Sequence, residues 1–179
     1  TGNIFIEEAN GLELGTISAG GGSGNVTIIA GGAITDDGDN ATVVSANTLS
    51  LTGSAIGAAG ATGQIDTAVS SLNASANTGD IFIAEADGVQ LGAIVAAGGN
   101  GTVQITAGGA LTDGAGTAIT AENVTLTAAS IGTAGNALST NVSSLSATST
   151  TGDIYITENN DVELGTINAA NGSADVNIV

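Results

Sequence analysis

The hexapeptide that opens the chain comes back twice. Thr1-Gly2-Asn3-Ile4-Phe5-Ile6 recurs as Thr78-Gly79-Asp80-Ile81-Phe82-Ile83 and as Thr151-Gly152-Asp153-Ile154-Tyr155-Ile156, at spacings of 77 and then 73 residues. A chain that repeats itself folds as a repeat, because each unit must bury its apolar face and its neighbour is the nearest candidate. The boundaries that follow are repeat one at 1–77, repeat two at 78–150 and a truncated repeat three at 151–179, all in one continuous segment, 1–179.

A shorter period runs inside the long one. The pattern polar-apolar-x-apolar starts its apolar positions at Ile4, Val26, Leu49, Ile81, Val103, Val124, Ile154 and Val176, separated by 22, 23, 32, 22, 21, 30 and 22 residues. Three rungs therefore make one long repeat, and the third rung is expected to carry an extra loop. A period near 22 with alternating strands and Gly-rich corners predicts an all-β fold, a parallel β-solenoid. In the first rung, residues 3–8 and 12–18 are the expected strands. Ala9-Asn10-Gly11 is the expected corner, its glycine free to take positive φ. Apolar residues at alternate positions point inward and stack on the same positions of the next rung. Eight such rungs predict a rod about 35–40 Å long. Tandem β-sandwiches would show no 22-residue sub-period and would ordinarily bury a Trp or Tyr in each domain.

The composition agrees. There is no Pro, which interior strands donating to ladders on both sides require, and the only aromatics are Phe5, Phe82 and Tyr155. The core must then be built of Val, Ile, Leu and Ala, which suit a pleated, closely stacked sheet. Seventeen acidic residues against no Lys, Arg or His give a net charge of −17. That argues against nucleic acid as a partner, since phosphates are neutralised by Lys and Arg, and against docking on an anionic leaflet. No direct membrane insertion is expected. Catalysis is also unexpected: no His, Lys or Cys exists to activate the many Ser and Thr hydroxyls.

The third rungs carry the more specific wording. Leu49-Ser50-Leu51-Thr52 leads to Ala55-Ile56-Gly57 and on to Ile65-Asp66-Thr67-Ala68-Val69-Ser70-Ser71-Leu72. Val124-Thr125-Leu126-Thr127 leads to Ser130-Ile131-Gly132 and on to Leu138-Ser139-Thr140-Asn141-Val142-Ser143-Ser144-Leu145. The middle rungs share Ala30-Gly31-Gly32-Ala33-Ile34-Thr35-Asp36 and Ala107-Gly108-Gly109-Ala110-Leu111-Thr112-Asp113. Over its whole length this pattern resembles the repeat region of large bacterial exoproteins of the filamentous-haemagglutinin, two-partner-secretion type. The resemblance implies a right-handed parallel β-helix forming the shaft of a surface or secreted adhesin, folded outside the cell. It transfers no binding residues, because the repeat motif is the structural part of that family.

Candidate sites are few. Asp36-Asp37-Gly38-Asp39-Asn40 is the densest acidic cluster, and oxygens spaced around a glycine are what calcium loops use. No bidentate Glu completes such a loop, and Asp113-Gly114-Ala115-Gly116 in repeat two lacks the cluster, so a solvated loop is favoured. Asp153 and Asp175 open successive rungs, and two carboxylates one strand spacing apart repel unless screened, protonated or bridged by a cation. Calcium is thus the only cofactor considered, with Asp36, Asp37, Asp39, Asp153 and Asp175 as its candidate ligands. Gly21-Gly22-Ser23-Gly24 and Gly98-Gly99-Asn100-Gly101 begin like calcium-binding nonapeptides, but Val26 and Val103 fill the Asp position.

Asn25, Asn40, Asn73, Asn100, Asn123, Asn141 and Asn171 each begin an N-x-[ST] triplet, open to glycosylation only at exposed corners. Phe5, Phe82 and Tyr155 share one repeat position. They form either an exposed contact stripe or the filling of a hollow beneath the long loop of the preceding rung. The expected partners are further copies of the repeat, in cis or end to end, and an unspecified cell-surface or matrix ligand. The expected location is extracellular, at the bacterial cell surface.

Overall fold

In the computed structural model, which describes residues 2–41, 43–114, 119–169 and 174–179, the alternating segments are strands and the Gly-rich segments are corners. Repeat one holds β1 (Ile4–Glu8), β2 (Leu12–Leu14), β3 (Ile17–Ser18), β4 (Val26–Ala30), β5 (Ile34–Asp36), β6 (Val44–Gly53) and β7 (Ile65–Ala76). Repeat two holds β8 (Ile81–Glu85), β9 (Val89–Ala96), β10 (Thr102–Ala107), β11 (Ala110–Asp113), β12 (Ile119–Ala128), β13 (Ser130–Ile131) and β14 (Leu138–Ser149). Repeat three adds β15 (Ile154–Glu158), β16 (Glu163–Ala169) and β17 (Val176–Ile178). The strands pair in parallel and the chain winds as a β-solenoid of about 8 turns, about 22 residues apart. Among the described residues no helix is long and apolar enough to cross a membrane.

The register is the one the sequence predicts. Ile4 pairs with Val26 and Val26 with Leu49, so equivalent apolar positions stack in one column. Their side chains and those of the other inward positions form a continuous aliphatic core, with Ile28, Leu49, Leu72, Ile81, Leu91 and Ile105 at most 1% exposed. Such stacking removes apolar area from water at every turn, at roughly 25 cal/mol per Å².

The third rung differs from expectation in a way that reorganises the whole rod. Leu49 is covered by Leu72, and Leu72 in turn by Leu91; Ile81 stands in another column, on Ile56, which itself stands on Ile34. The stretch from Leu49 to Ile81 is therefore one full turn, closed by β7, followed by half of another. The residues expected to be only a loop contain a twelve-residue strand. The loop proper is a short excursion after Gly57, closed by the Ala58 amide donating to the Gly63 carbonyl at 2.6 Å.

Because of the half turn, each long repeat starts on the opposite side of the solenoid from the one before. Ile154 stands on Ile131, Ile131 on Leu111 and Leu111 on Val89. The residue after Val89, Gln90, stands on Ser71, in the ladder that β1 began. The starting face thus returns after two repeats.

Corners stack as tightly as strands. The Gly31 amide donates to the Glu8 carbonyl at 2.8 Å and the Gly32 amide to the Asn10 carbonyl at 2.9 Å. A Cβ on Gly31 would collide with the Ala9 carbonyl, and one on Gly32 would lie 2.6 Å from the Gly11 amide nitrogen. Glycine is needed at Gly31 and Gly32 for close approach between turns. The expected positive φ at Gly11 is not observed.

The aromatic position, open between an exposed stripe and the filling of a hollow, falls on different ladders. Phe5 lies beside Thr27 in the β1 ladder, whereas Phe82 lies beside Gln104 in the β8 ladder, on the opposite side. Phe82 and Tyr155 are half-buried, and their backbone carbonyls lie against Gly57 and Gly132 of the Ile-Gly turns, while Phe5 is 64% exposed.

Candidate functional site

The chemistry of this chain gathers where one long repeat meets the next. β8 ends in Glu85, whose side chain turns into the stack at the same level as Thr67 of the turn below. Its Oε2 accepts the Thr67 hydroxyl at 2.7 Å, both carboxylate oxygens lie 3.2 Å from the Val69 amide nitrogen, and Oε1 accepts the Asp87 amide at 3.2 Å. Burial pushes the Glu85 carboxyl above its ordinary value. The donors from Thr67, Asp87 and Val69 pull the other way, and the Asp87 charge adds a small upward push. One carboxylate therefore satisfies a backbone amide that the strand ladder leaves free and closes the corner below it.

The arrangement recurs. Glu158 Oε2 accepts the Thr140 hydroxyl at 2.6 Å, and its Oε1 accepts the Val142 amide at 3.1 Å and the Asn159 amide at 3.0 Å. Glu8, the third member, accepts within its own corner, from the Asn10 amide at 3.0 Å and the Asn10 side-chain amide at 3.5 Å. Nothing in the sequence analysis singled out these glutamates. The available signal was an acid returning at one repeat position in a chain with no base to pair it.

A shallow recess opens beside the first clamp, lined by Asn40, Asp66, Thr67 and Glu85 among others. Asp66 is held above its ordinary pKa, first by burial and then by the charges of Asp36, Asp37 and Asp39. Its Oδ2 is enclosed and accepts no hydrogen bond. In repeat two, Ser139 replaces Asp66, and its amide donates to Asp113 Oδ2 at 3.2 Å. Asp113 itself is buried, with Oδ1 enclosed and unbonded.

The predicted calcium ligands fall into two separate groups. In the loop, Asp36 Oδ2 accepts the Gly38 amide at 2.9 Å, Asp37 Oδ1 the Asp39 amide at 3.3 Å and Asp39 Oδ1 the Ala41 amide at 2.7 Å. These are local turns that draw the carboxylates onto their own backbone. Asp153 Oδ1 accepts the Asp175 amide at 2.9 Å, so it meets the backbone of the next turn, not its carboxylate. The same step is made by Asn3 toward the Asn25 amide at 2.9 Å and by Asp80 toward the Thr102 amide at 2.7 Å. Among the described residues no three acidic side chains come together as a metal-holding group. Ala115 and Gly116 of the second-repeat loop, Thr42 of the Asn40 triplet and the Asn171 triplet lie outside the described residues.

A second recess lies where the Gly132 turn meets repeat three. It is lined by Ser130, Thr133, Asp153 and Tyr155, and the Tyr155 hydroxyl points to Asp175 Oδ2 at 3.5 Å. Its lining joins hydroxyl and carboxylate groups to an aromatic ring, which gives it both polar and apolar character. The equivalent place in repeat two carries Phe82.

No family model matches this chain, and neither a curated protein nor a solved structure matches it.

Proposed function

We propose that this chain is a structural, non-catalytic element: the shaft of a large bacterial surface or secreted adhesin, or the wall of an extracellular filament. The observation that carries the reading is the way successive repeats are joined. The aliphatic core runs unbroken from Leu14 to Ile156, and the Glu85 and Glu158 clamps tie each repeat to the one below. A rod made this way resists bending at its repeat junctions, where a string of hinged domains is weakest. Its acidity keeps a long apolar stack soluble and opposes side-by-side association.

The resemblance to filamentous-haemagglutinin-type repeats adds the adhesin setting and the extracellular location. The clustered carboxylates hold backbone amides and hydroxyls, and no basic residue or thiol exists in the sequence to activate a nucleophile. Electron microscopy of the parent polypeptide tests the proposal. A thin fibre whose length grows by about 4.8 Å per turn is expected; compact beads on flexible links would overturn it. A second reading, a carbohydrate-binding module, is favoured only by the Tyr155 recess. Titration with oligosaccharides, comparing the chain with Tyr155→Ala, decides it.

A further inference from the structure

The pair Asn-Gly occurs at 10–11, 100–101 and 171–172, the last outside the described residues. Asparagine followed by glycine is prone to cyclise on itself, because glycine carries no side chain to shield its amide nitrogen. The fold treats the two described pairs differently. The Gly101 amide donates to the Ala96 carbonyl at 3.2 Å, and the Gly101 carbonyl accepts the Glu122 and Asn123 amides at 2.8 and 3.3 Å. Gly101 is buried, and a Cβ there would lie 2.8 Å from the Gly79 carbonyl oxygen and 2.9 Å from the Ala96 Cβ. Asn10 and Gly11 are both exposed, and the Gly11 amide donates to no group among the described residues. A Cβ on Gly11 would meet only the Ala33 backbone, at 3.1 Å. The Asn10 carboxamide is held by a long contact, Nδ2 donating to Glu8 Oε1 at 3.5 Å.

This openness belongs to the corner and not to the place of β1 in the stack. Asp87-Gly88 is the same corner in repeat two, and β7 pairs with the strands on both sides of it, Thr67 beside Glu85 and Ser71 beside Gln90. Asp87 and Gly88 are exposed all the same, and the Gly88 amide likewise donates to no group among the described residues.

We propose that the Asn10-Gly11 corner is a self-modification site, at which the folded chain deamidates through a succinimide without an enzyme. The Gly11 nitrogen attacks the Asn10 Cγ and gives its proton to solvent. The new N–Cγ bond closes a five-membered ring as the Cγ–Nδ2 bond breaks and ammonia leaves. Water then opens the ring. Addition at Cγ leaves aspartate, the residue that repeat two already carries at this place. Addition at the main-chain carbonyl leaves isoaspartate, whose backbone runs through Cγ and is one carbon longer. That carbonyl is the one that accepts the Gly32 amide at 2.9 Å, so isoaspartate alters the contact on which the next corner rests. Either product adds a negative charge to the −17 of the chain, and the lost amide does not return.

The chain is held folded in mildly alkaline buffer, then denatured and cut with a glutamyl endopeptidase. Cleavage after Glu8 and Glu13 releases residues 9–13, and cleavage after Glu85 and Glu122 releases residues 86–122. Mass spectrometry follows the exchange of amide for acid, and chromatography separates the two isomers. Peptide 9–13 is expected to convert into an aspartyl and an isoaspartyl form. Asn100 is expected to convert at least about fivefold more slowly, the factor that one net hydrogen bond supplies. In urea the two are expected to convert alike. The amide introduced by Asp87→Asn, located by fragmentation of its peptide, is expected to convert at the rate of Asn10.

A peptide 9–13 that stays unmodified overturns the proposal, as does an Asn100 that converts as fast in the folded chain. A gap that persists in urea would place the difference in the neighbouring sequence and not in the fold. Conversion at Asn10 without conversion in Asp87→Asn would tie it to the edge of the stack. Either of these two results overturns the assignment to this corner.

Discussion

Leu72 is the residue whose loss best tests the turn-and-a-half that joins the repeats. It has no exposed surface and sits between Leu49 and Leu91 in the ladder. Leu72→Ala removes three carbons' worth of buried side chain, about 2.4 kcal/mol at ~0.8 kcal/mol per methylene. The turns above and below are clamped by backbone hydrogen bonds, so collapse around the gap is partial and the cavity adds about 1–2 kcal/mol. A loss of about 3.5–4.5 kcal/mol is expected, equal to that of Leu49→Ala within about 1 kcal/mol. Urea denaturation followed by far-ultraviolet circular dichroism measures it, with Ser70→Ala on the exposed face of the same strand as the reference. A solenoid unfolds in groups of turns, so the shift belongs to the transition that includes the central ones. A loss under about 1 kcal/mol, no larger than that of Ser70→Ala, would falsify the placement of this strand in the core.

Three further outcomes follow from the clamps and the corners. Glu85→Ala strips the Val69 amide and the Thr67 hydroxyl of their acceptor and is expected to cost about 2–3 kcal/mol in the same urea assay; no change would mean that water serves equally well there. Glu85 and Asp66 hold their protons to higher pH in the fold than in the unfolded chain, where the ordinary values are 4.5 and 3.8. Their contribution is therefore fully present below those values and is lost as pH rises through the folded ones, in the same direction as the self-repulsion of the −17 charge. The urea midpoint is expected to fall as pH rises above the ordinary carboxyl values, less steeply in Glu85→Gln; a midpoint that instead rises with pH refutes the assignment. Gly108→Ala drives a methyl into the Ala86 carbonyl of the turn below and is expected to cost about 2 kcal/mol or more, whereas Gly135→Ala, with nothing within 4 Å, is expected to be near neutral.

The solenoid itself was legible because its signal is local and repeated. Alternation at Ile4, Ile6, Val26, Ile28, Leu49 and Leu51 fixes which side chains turn inward, and the 22-residue spacing fixes which of them meet. The half turn was harder to see. β7 buries Leu72, Ala74 and Ala76 between Ser and Asn, and two of those three are only methyls, too weakly apolar to mark a strand by composition. The pointer was arithmetic: a spacing of 32 is close to one and a half times 22.

The junction chemistry was legible only as position. Glu85 is one acid among seventeen in the sequence, and what makes it distinctive is the Thr-x-Val of a different turn, reached only once the register is known. The acidic loop was legible in the opposite way, as a cluster whose missing Glu already favoured a solvated loop. Asp36, Asp37 and Asp39 are conspicuous in sequence, yet each accepts an amide two residues along its own backbone.

The half turn at each junction also decides how such a rod meets its surroundings. Like leaves set alternately along a stem, whatever one repeat displays is shown on the far flank by its successor and regains its own flank only with the one after. A flat target lying along the rod touches every second copy, so its valency is half the copy number. Were the shaft reading right, surfaces on either side would each meet half of the copies.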